Sequence, residues 1–447
     1  MKKKFLKLFA MIFSVALLVT GCATVSNVYD ENGDPIYFET PTFFGGQVAK
    51  IGNYLYYANG YTDASADSFD YNTAAQTGYL ARIDLSTDFV FDEETEDSLK
   101  PNTSPENSEK VSDRFVGYQN QNMFAYGSYL YFTSTNTHRT SSLENDYSRV
   151  TLFRVAFNGD NLTEIYTTRY DDSSSIEVVE GSDGNYYYVI CAQNSEEEYE
   201  LSSIKIGDSL GSRVLLAENV ESYAIADENS SSKNVIYSTT NDDGEIEIKA
   251  VDFATEEKTD YSYATSMEIS FLDRVGDIVF YSADTANSDI EIYYKDVSTF
   301  DTNFDASNRF FSADSISEVL AVEGGYVFVS GNGGLIYKTL NGSSVPLLSS
   351  DTTFDLLFER DGWIYYSSST EINRISVVDQ TIENVITMTS MISGACGYSD
   401  GYVYFFAQLE ETESDSSSED TTTDENYYLY RASLDGTGNY QLIGKTI

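Results

Sequence analysis

Histidine, tryptophan and proline are nearly absent: the chain has one histidine, one tryptophan and five prolines. A single histidine, His138, cannot build a multi-histidine metal site, and its polar surroundings, Thr135 to Arg139, read as a loop without special role. So few prolines exclude a proline-rich linker. Cysteine is also sparse, with three in all. No C-x-x-C pair occurs, so neither a zinc site nor a thioredoxin-type centre is indicated. Cys191 and Cys396 sit in apolar strand-like runs and read as small buried hydrophobes; a disulfide between them is the alternative. Basic residues are few, 26 against 72 acidic ones, for a net charge of −46. Such a surface repels phosphate backbones and anionic lipid, which excludes nucleic-acid binding as the expected role. No P-loop or dinucleotide fingerprint is present.

What is present is tyrosine and phenylalanine, 37 and 26 of them, and they recur in a pattern. A turn pair followed by alternating aromatics appears at Gly52 to Tyr57, Gly127 to Phe132, Gly184 to Tyr188 and, in degenerate form, Lys233 to Tyr237. It returns at Gly276 to Tyr281, Gly324 to Val329, Asp361 to Tyr366 and Asp400 to Phe405. The bare unit is about forty residues long, a repeat length at which small stacked sheets must be considered first. A second marker follows in most units, an apolar residue, a variable one and a base: Leu80 to Arg82, Leu152 to Arg154, Ile336 to Lys338, Ile372 to Arg374 and Leu429 to Arg431. Asn158-Gly159, Asn341-Gly342 and Asp435-Gly436 behind it read as type I′ hairpin turns.

The cleanest unit predicts four short strands: Phe354 to Glu359, Trp363 to Ser368, Ile372 to Val378 and Ile382 to Met388. In the second of these, Trp363 and Tyr365 point one way while Ile364 and Tyr366 point the other. Both sets are apolar, so the sheet needs cover on both faces. A closed ring of four-stranded sheets supplies that cover, whereas an open stack needs polar caps. The expected fold is therefore all-β: a single β-propeller over 42–447, with eight blades, or seven if the degenerate fourth unit or the padded first one fails to form a blade. Val28-Tyr29 or Ile36 to Phe38 is expected to add an edge strand to the last blade and latch the ring. The acidic run 410–426 cannot bury a core and is expected to be a disordered loop.

The first 21 residues have a basic start and an apolar run, Leu8 to Val19, too short to span a bilayer comfortably. The run ends in Val19-Thr20-Gly21-Cys22. On those residues the leader resembles that of bacterial lipoproteins. The resemblance implies cleavage between Gly21 and Cys22, a lipid on the Cys22 thiol, and residence outside the cytoplasm on a bacterial membrane. Residues 22–41 then form a lipidated N-terminus and polar tether. Asp30 to Asp34 within it passes for a calcium loop but lacks the closing glutamate, and a simple turn is the better reading. No cofactor is expected; calcium has no other support.

The repeats themselves, DGWIYYSSSTEINRIS above all, resemble tyrosine-rich bacterial propeller units related to the YWTD blades of the low-density lipoprotein receptor. Tyr365-Tyr366-Ser367-Ser368 stands where the tetrapeptide would be. The resemblance implies architecture and little chemistry. Eight-bladed lipoproteins of outer-membrane assembly are similar in layout, but their blades rely on repeated tryptophans that this chain does not have.

Few residues carry candidate chemistry. Gly207-Asp208-Ser209-Leu210 spells the start of an esterase motif, but Thr135 stands where an aspartate should precede His138, and strands surround the tetrapeptide. A hairpin turn is expected instead. Asp171-Asp172 and Asp242-Asp243 read as turn residues. The expectation is a membrane-anchored, non-enzymatic module or scaffold that binds a protein, peptide or glycan. The alternative is a secreted carbohydrate-active enzyme using paired carboxylates, and convergence of acids on the central channel is what would bear on it.

Overall fold

The computed structural model describes residues 28–30, 32–58, 61–62, 79–85, 108–116, 123–134, 149–171, 174–241, 243–261, 269–284, 290–299, 309–312, 316–322, 324–399, 401–408, 426–434 and 440–442. The acidic run is outside them apart from Asn426, as are the leader and His138. Among the described residues no helix is long and apolar enough to cross a membrane.

The chain folds into eight antiparallel blades of four strands, each blade drawn from one stretch of chain, and two of the sheets take on a fifth strand from elsewhere. In chain order the blades cover 48–115, 124–169, 175–217, 222–261, 269–311, 316–348, 355–387 and 392–442. The degenerate fourth unit is a full blade, so eight holds and seven does not. Blade 7 has strands Asp355–Arg360, Trp363–Ser368, Glu371–Ser376 and Ile382–Thr387, close to those expected. Its first turn is the two-residue loop Asp361-Gly362, with φ of 54° and 80°; two left-handed residues make the type I′ geometry that matches strand twist. Asn341-Gly342 differs from expectation: neither residue is left-handed, and the Gly342 N–H donates to the Thr339 carbonyl instead.

Two-sided apolar strands do what the alternation requires. Tyr365 and Trp363 pack into a core shared with Val403 and Phe405 of blade 8. Ile364 and Tyr366 pack the other way, against Val327 and Leu335 of blade 6. Similar cores fill the other blade interfaces, and one of them joins Tyr404 and Phe406 of blade 8 to Leu55 of blade 1 and Phe132 of blade 2. The ring thus closes through packed side chains, together with a short pairing of Tyr61 and Thr62 with Tyr427 and Asn426.

First strands of neighbouring blades touch around most of the ring and so form its inner wall. The latch expected on blade 8 is elsewhere. Residues Phe38–Phe43 form a strand that pairs with Phe124–Gly127, the first strand of blade 2. Since the other edge of that first strand is taken by the blade itself, the N-terminal strand lies inside the ring. It continues into Phe44, whose carbonyl accepts the Tyr398 N–H of blade 8 at 2.9 Å, and Gly46, whose carbonyl accepts the Met123 N–H at 2.7 Å. Before it, Tyr29 bridges to Pro35; Val28 and Ile36 cover the first turn of blade 1 so closely that a Cβ on Gly52 would meet both within 3.0 Å.

Candidate functional site: the acidic half of the central channel

The N-terminal segment fills the channel beside blades 8, 1 and 2. Beside blades 3 to 6 the channel stays open as a cavity of about 1120 Å³, with Phe43 at its border. Its walls are the first strands Ser175–Glu180, Ser222–Ile225 and Ile269–Val275, with Leu320 of blade 6.

Two carboxylates dominate it. Glu177 projects from the middle of the blade 3 strand into the open space, where its side chain keeps free surface. Protein nonetheless encloses it at longer range. Burial pushes its carboxyl up to about 7, and the nearby charge of Asp273 adds to the rise. Asp273, from blade 5, is pushed up to about 6 by burial; the N–H groups of Arg274 and Val319 oppose the rise, and Asp227 reinforces it. Two acids from different blades therefore converge, and both ionise near neutrality.

Around them the polar groups are occupied. Asp227 accepts from Gly276 N–H at 2.8 Å, Asn229 N–H at 2.9 Å and Ser230 Oγ at 2.8 Å. The single cation at the wall, Arg274, is turned away and buried. It donates to Asn234 Oδ1 at 2.7 Å, to the Ser232 carbonyl at 3.0 Å and to the Gly276 carbonyl at 3.0 Å. It ties blade 5 to blade 4 and neutralises neither channel acid. Ser222 Oγ accepts the Phe271 N–H at 3.0 Å, drawing the first strands of blades 4 and 5 together. The Tyr223 hydroxyl meets Ser175 and Cys191, and burial raises its pKa.

Among the described residues, no group of three or more histidine, cysteine or acidic side chains is arranged to hold a metal. The Asp30 loop is a turn: one Asp30 oxygen accepts the N–H groups of Asn32 and Asp34, at 2.8 and 2.9 Å. Cys191 is a buried free thiol, pushed up to about 12 by burial, so it is unreactive and not in a disulfide. Gly207 to Ser209 form bends between the third and fourth strands of blade 3, and the next element is the strand Val214–Ala217, not a helix. The carbonyls of Gly207 and Asp208 accept from Arg154 of blade 2, so the tetrapeptide is a packing joint. Asp171 accepts from Ser174 Oγ and the Tyr199 hydroxyl, and Asp243 sits in a turn capped by Asn241. Gly21, Cys22, Asp172, Asp242 and the Cys396 side chain are outside the described residues.

The second sequence marker is explained by the same joints. Arg82, Arg154, Arg374 and Arg431 each lie opposite a tyrosine, Tyr56, Tyr131, Tyr365 and Tyr404. Each also stacks on the first aromatic of its second strand, Tyr54, Tyr129, Trp363 and Tyr402, at 4.2 to 4.4 Å. Three of them reach a main-chain carbonyl of the next blade: Phe157 for Arg82, Gly207 for Arg154, and Leu434 for Arg374. Lys338 departs from the marker: it lies opposite the first aromatic, Tyr326, and donates to the Gly342 carbonyl of its own blade.

Neither Glu177 nor Asp273 was singled out by sequence reasoning. A usable signal was present, since each acid sits inside a largely apolar first strand, Glu177 within SIEVVE and Asp273 within ISFLDRV. A charge at such a position needs either an ion partner or open space.

No protein-family profile matches the chain, and no curated protein does. Among solved structures, the β-propeller domain of the Trilobed protease from Pyrococcus furiosus is similar at 12% identity and TM-score 0.37, over 62% of this chain and 85% of that one. An uncharacterised protein from Listeria monocytogenes is similar at 12% identity and TM-score 0.40, over 71% and 92%. TolB from Acinetobacter baumannii gives 10% and 0.30, over 66% of this chain and 59% of its own. The blade count and the cavity stand on this chain's own strand pairing.

Proposed function

We propose that this chain is a lipid-anchored, extracytoplasmic binding propeller of the tyrosine-rich type, whose central cavity receives a positively charged ligand. The observation that carries the reading is the pairing of Glu177 with Asp273 in an enclosed space where the nearest cation, Arg274, is committed elsewhere. Low-dielectric walls concentrate the field of the two acids, which favours an ammonium or guanidinium group over a neutral one. The anchoring half of the reading rests on the Val19 to Cys22 leader motif; the turn of Val28 to Ile36 on blade 1 would then face the membrane.

The full-length chain in detergent, titrated with spermine in a calorimeter at low salt, tests the cavity. Binding should tighten as pH rises from about 5 to about 8, because both acids ionise across that range. The double substitution Glu177→Gln with Asp273→Asn should abolish it; heat of binding that ignores the substitution would refute the reading. Cys22→Ser should end incorporation of labelled fatty acid and release the chain from membranes.

The convergence of two acids also favours a second reading, a carbohydrate-active enzyme in which Glu177 is the proton donor and Asp273 the base. Turnover on a glycan panel, lost in Glu177→Gln, would establish it in place of simple binding.

A further inference from the structure

An extended segment already docks on the inner edge of one blade. Residues Phe38–Phe43 add to the first strand of blade 2, with Phe43 resting on Phe124 at 4.9 Å between ring centroids and bordering the cavity. The next edge around the ring is Ser175–Glu180 of blade 3. Among the described residues it pairs only with the second strand of its own blade, Tyr186–Gln193. Its channel side therefore presents main-chain N–H and C=O groups without a strand partner, which is the usual template for strand addition. Space is available as well. The first strands of blades 4 and 5 press together, whereas that of blade 3 has little contact with its neighbours' first strands, and the cavity opens in front of it. The charge there is acidic, from Glu177 on the strand itself and Asp273 across the gap.

We infer that the inner edge of blade 3 binds an extended, basic peptide segment as an added strand, continuing inside the ring what residues 38–43 do on blade 2. The inference rests on the proposed cationic-ligand cavity and narrows that ligand to a peptide. Main-chain hydrogen bonds to Ser175–Glu180 would supply affinity, and lysine or arginine side chains facing Glu177 and Asp273 would supply selectivity. Aromatic Phe43 would cover one end of the segment.

A fluorescent, terminally blocked peptide of about six residues with alternating lysine and valine tests this by anisotropy. The partner is the full-length chain in detergent at low salt. Comparison probes are the glutamate–valine counterpart, the lysine–valine peptide N-methylated at alternate residues in each of the two phases, and spermine. The expected result is binding of the lysine peptide, none of the glutamate peptide, and about tenfold weakening by one of the two methylation phases. Hydrogen exchange of the unsubstituted protein should slow along residues 175–180 in the complex, a readout that needs no variant. If both methylated peptides bind as well as the parent, or if exchange at 175–180 is unchanged, the edge is not used and the inference falls. Binding of spermine without the peptide would also overturn it while leaving the cationic cavity standing. Failure of every cation to bind would remove both.

Discussion

The two halves of the ring are jointed differently, and their channels are filled differently. From blade 7 through 8 and 1 to 2, third strands carry arginines stacked on aromatics, and beside blades 8, 1 and 2 the channel is filled by the chain's own N-terminal segment. From blade 3 to 6 that arginine is missing: only Lys249 takes its place, opposite Tyr237, while Lys205 and Lys295 lie one residue off and Lys338 two; the joints are made by groups such as Ser203 and Arg274, and the channel holds acids in open space. Among the described residues each blade's own four strands come from one stretch of chain, and at the seam a two-residue pairing of Tyr61 and Thr62 with Tyr427 and Asn426 clasps blade 1 to blade 8. The arginines serve the joints near that seam, 1 to 2, 2 to 3 and 7 to 8, where a guanidinium stacks on a ring and reaches a carbonyl of the next blade at once. The far half leaves its channel open around the two acids.

The comparison can be broken most sharply at Gly397. A Cβ there would lie 2.0 Å from the Phe44 carbonyl oxygen, and φ is 132°. Gly397→Ala should cost about 3 kcal/mol or more in urea denaturation, or prevent folding. The control in the open half, Gly184→Ala, meets nothing within 4 Å and has φ 74°; it should cost about 1 kcal/mol. Equal losses would mean that the seam is not special.

Next in size is the clamp. Arg82 is 0% exposed and paired with Glu109 at 2.8 Å. Arg82→Met should destabilise by about 3 kcal/mol, because the Tyr56 hydroxyl loses its guanidinium donor, the Phe157 carbonyl loses one of its two donors, and Glu109 loses its partner. Lysine at 82 should not restore it, since an ammonium cannot bridge and stack together. In the other half Lys249 pairs with Glu247 near the surface, and Lys249→Met should change stability by about 0.5 kcal/mol or less.

The acid pair sharpens the contrast through pH. In the folded state burial pushes Glu177 up to about 7 and Asp273 up to about 6, above their ordinary values of 4.5 and 3.8. The native state thus binds protons more tightly than the unfolded chain. Their effect on stability is most favourable at low pH and is lost as pH rises from about 4 through about 7. Thermal melts of Glu177→Gln with Asp273→Asn should therefore exceed the parent above about pH 7 and lose that advantage toward about pH 4. An advantage that grows on acidification would contradict the enclosed pair. Smaller than the seam and clamp losses is Phe43→Ala: the ring is 44% exposed, so the cost should be about 1 kcal/mol in the same denaturation assay.

Legibility followed locality. The aromatic alternation at Trp363 to Tyr366 and the Asp361-Gly362 turn are local, and they predicted blade 7 nearly residue by residue. The arginine marker was visible at Arg82, Arg154 and Arg374, but its purpose was hidden, because each partner carbonyl belongs to the following blade. Lys338 shared the spelling and not the register, a shift of two residues that no single strand reveals. Residues 36–38 looked like a latch for blade 8; they lead instead into the strand on the inner edge of blade 2, since a free edge accepts any extended segment and sequence alone does not rank the edges.

By itself the order of amino acids determined the strands, the repeat and the closed ring, because the period of two and the turn chemistry act between near neighbours and apolar faces on both sides of a sheet demand cover. Only the folded ring decided which acids face each other, which edge is plugged and which lies open. Glu177 and Asp273 come from blades that are not consecutive, and their shared charge exists only once the ring places them across one enclosed space.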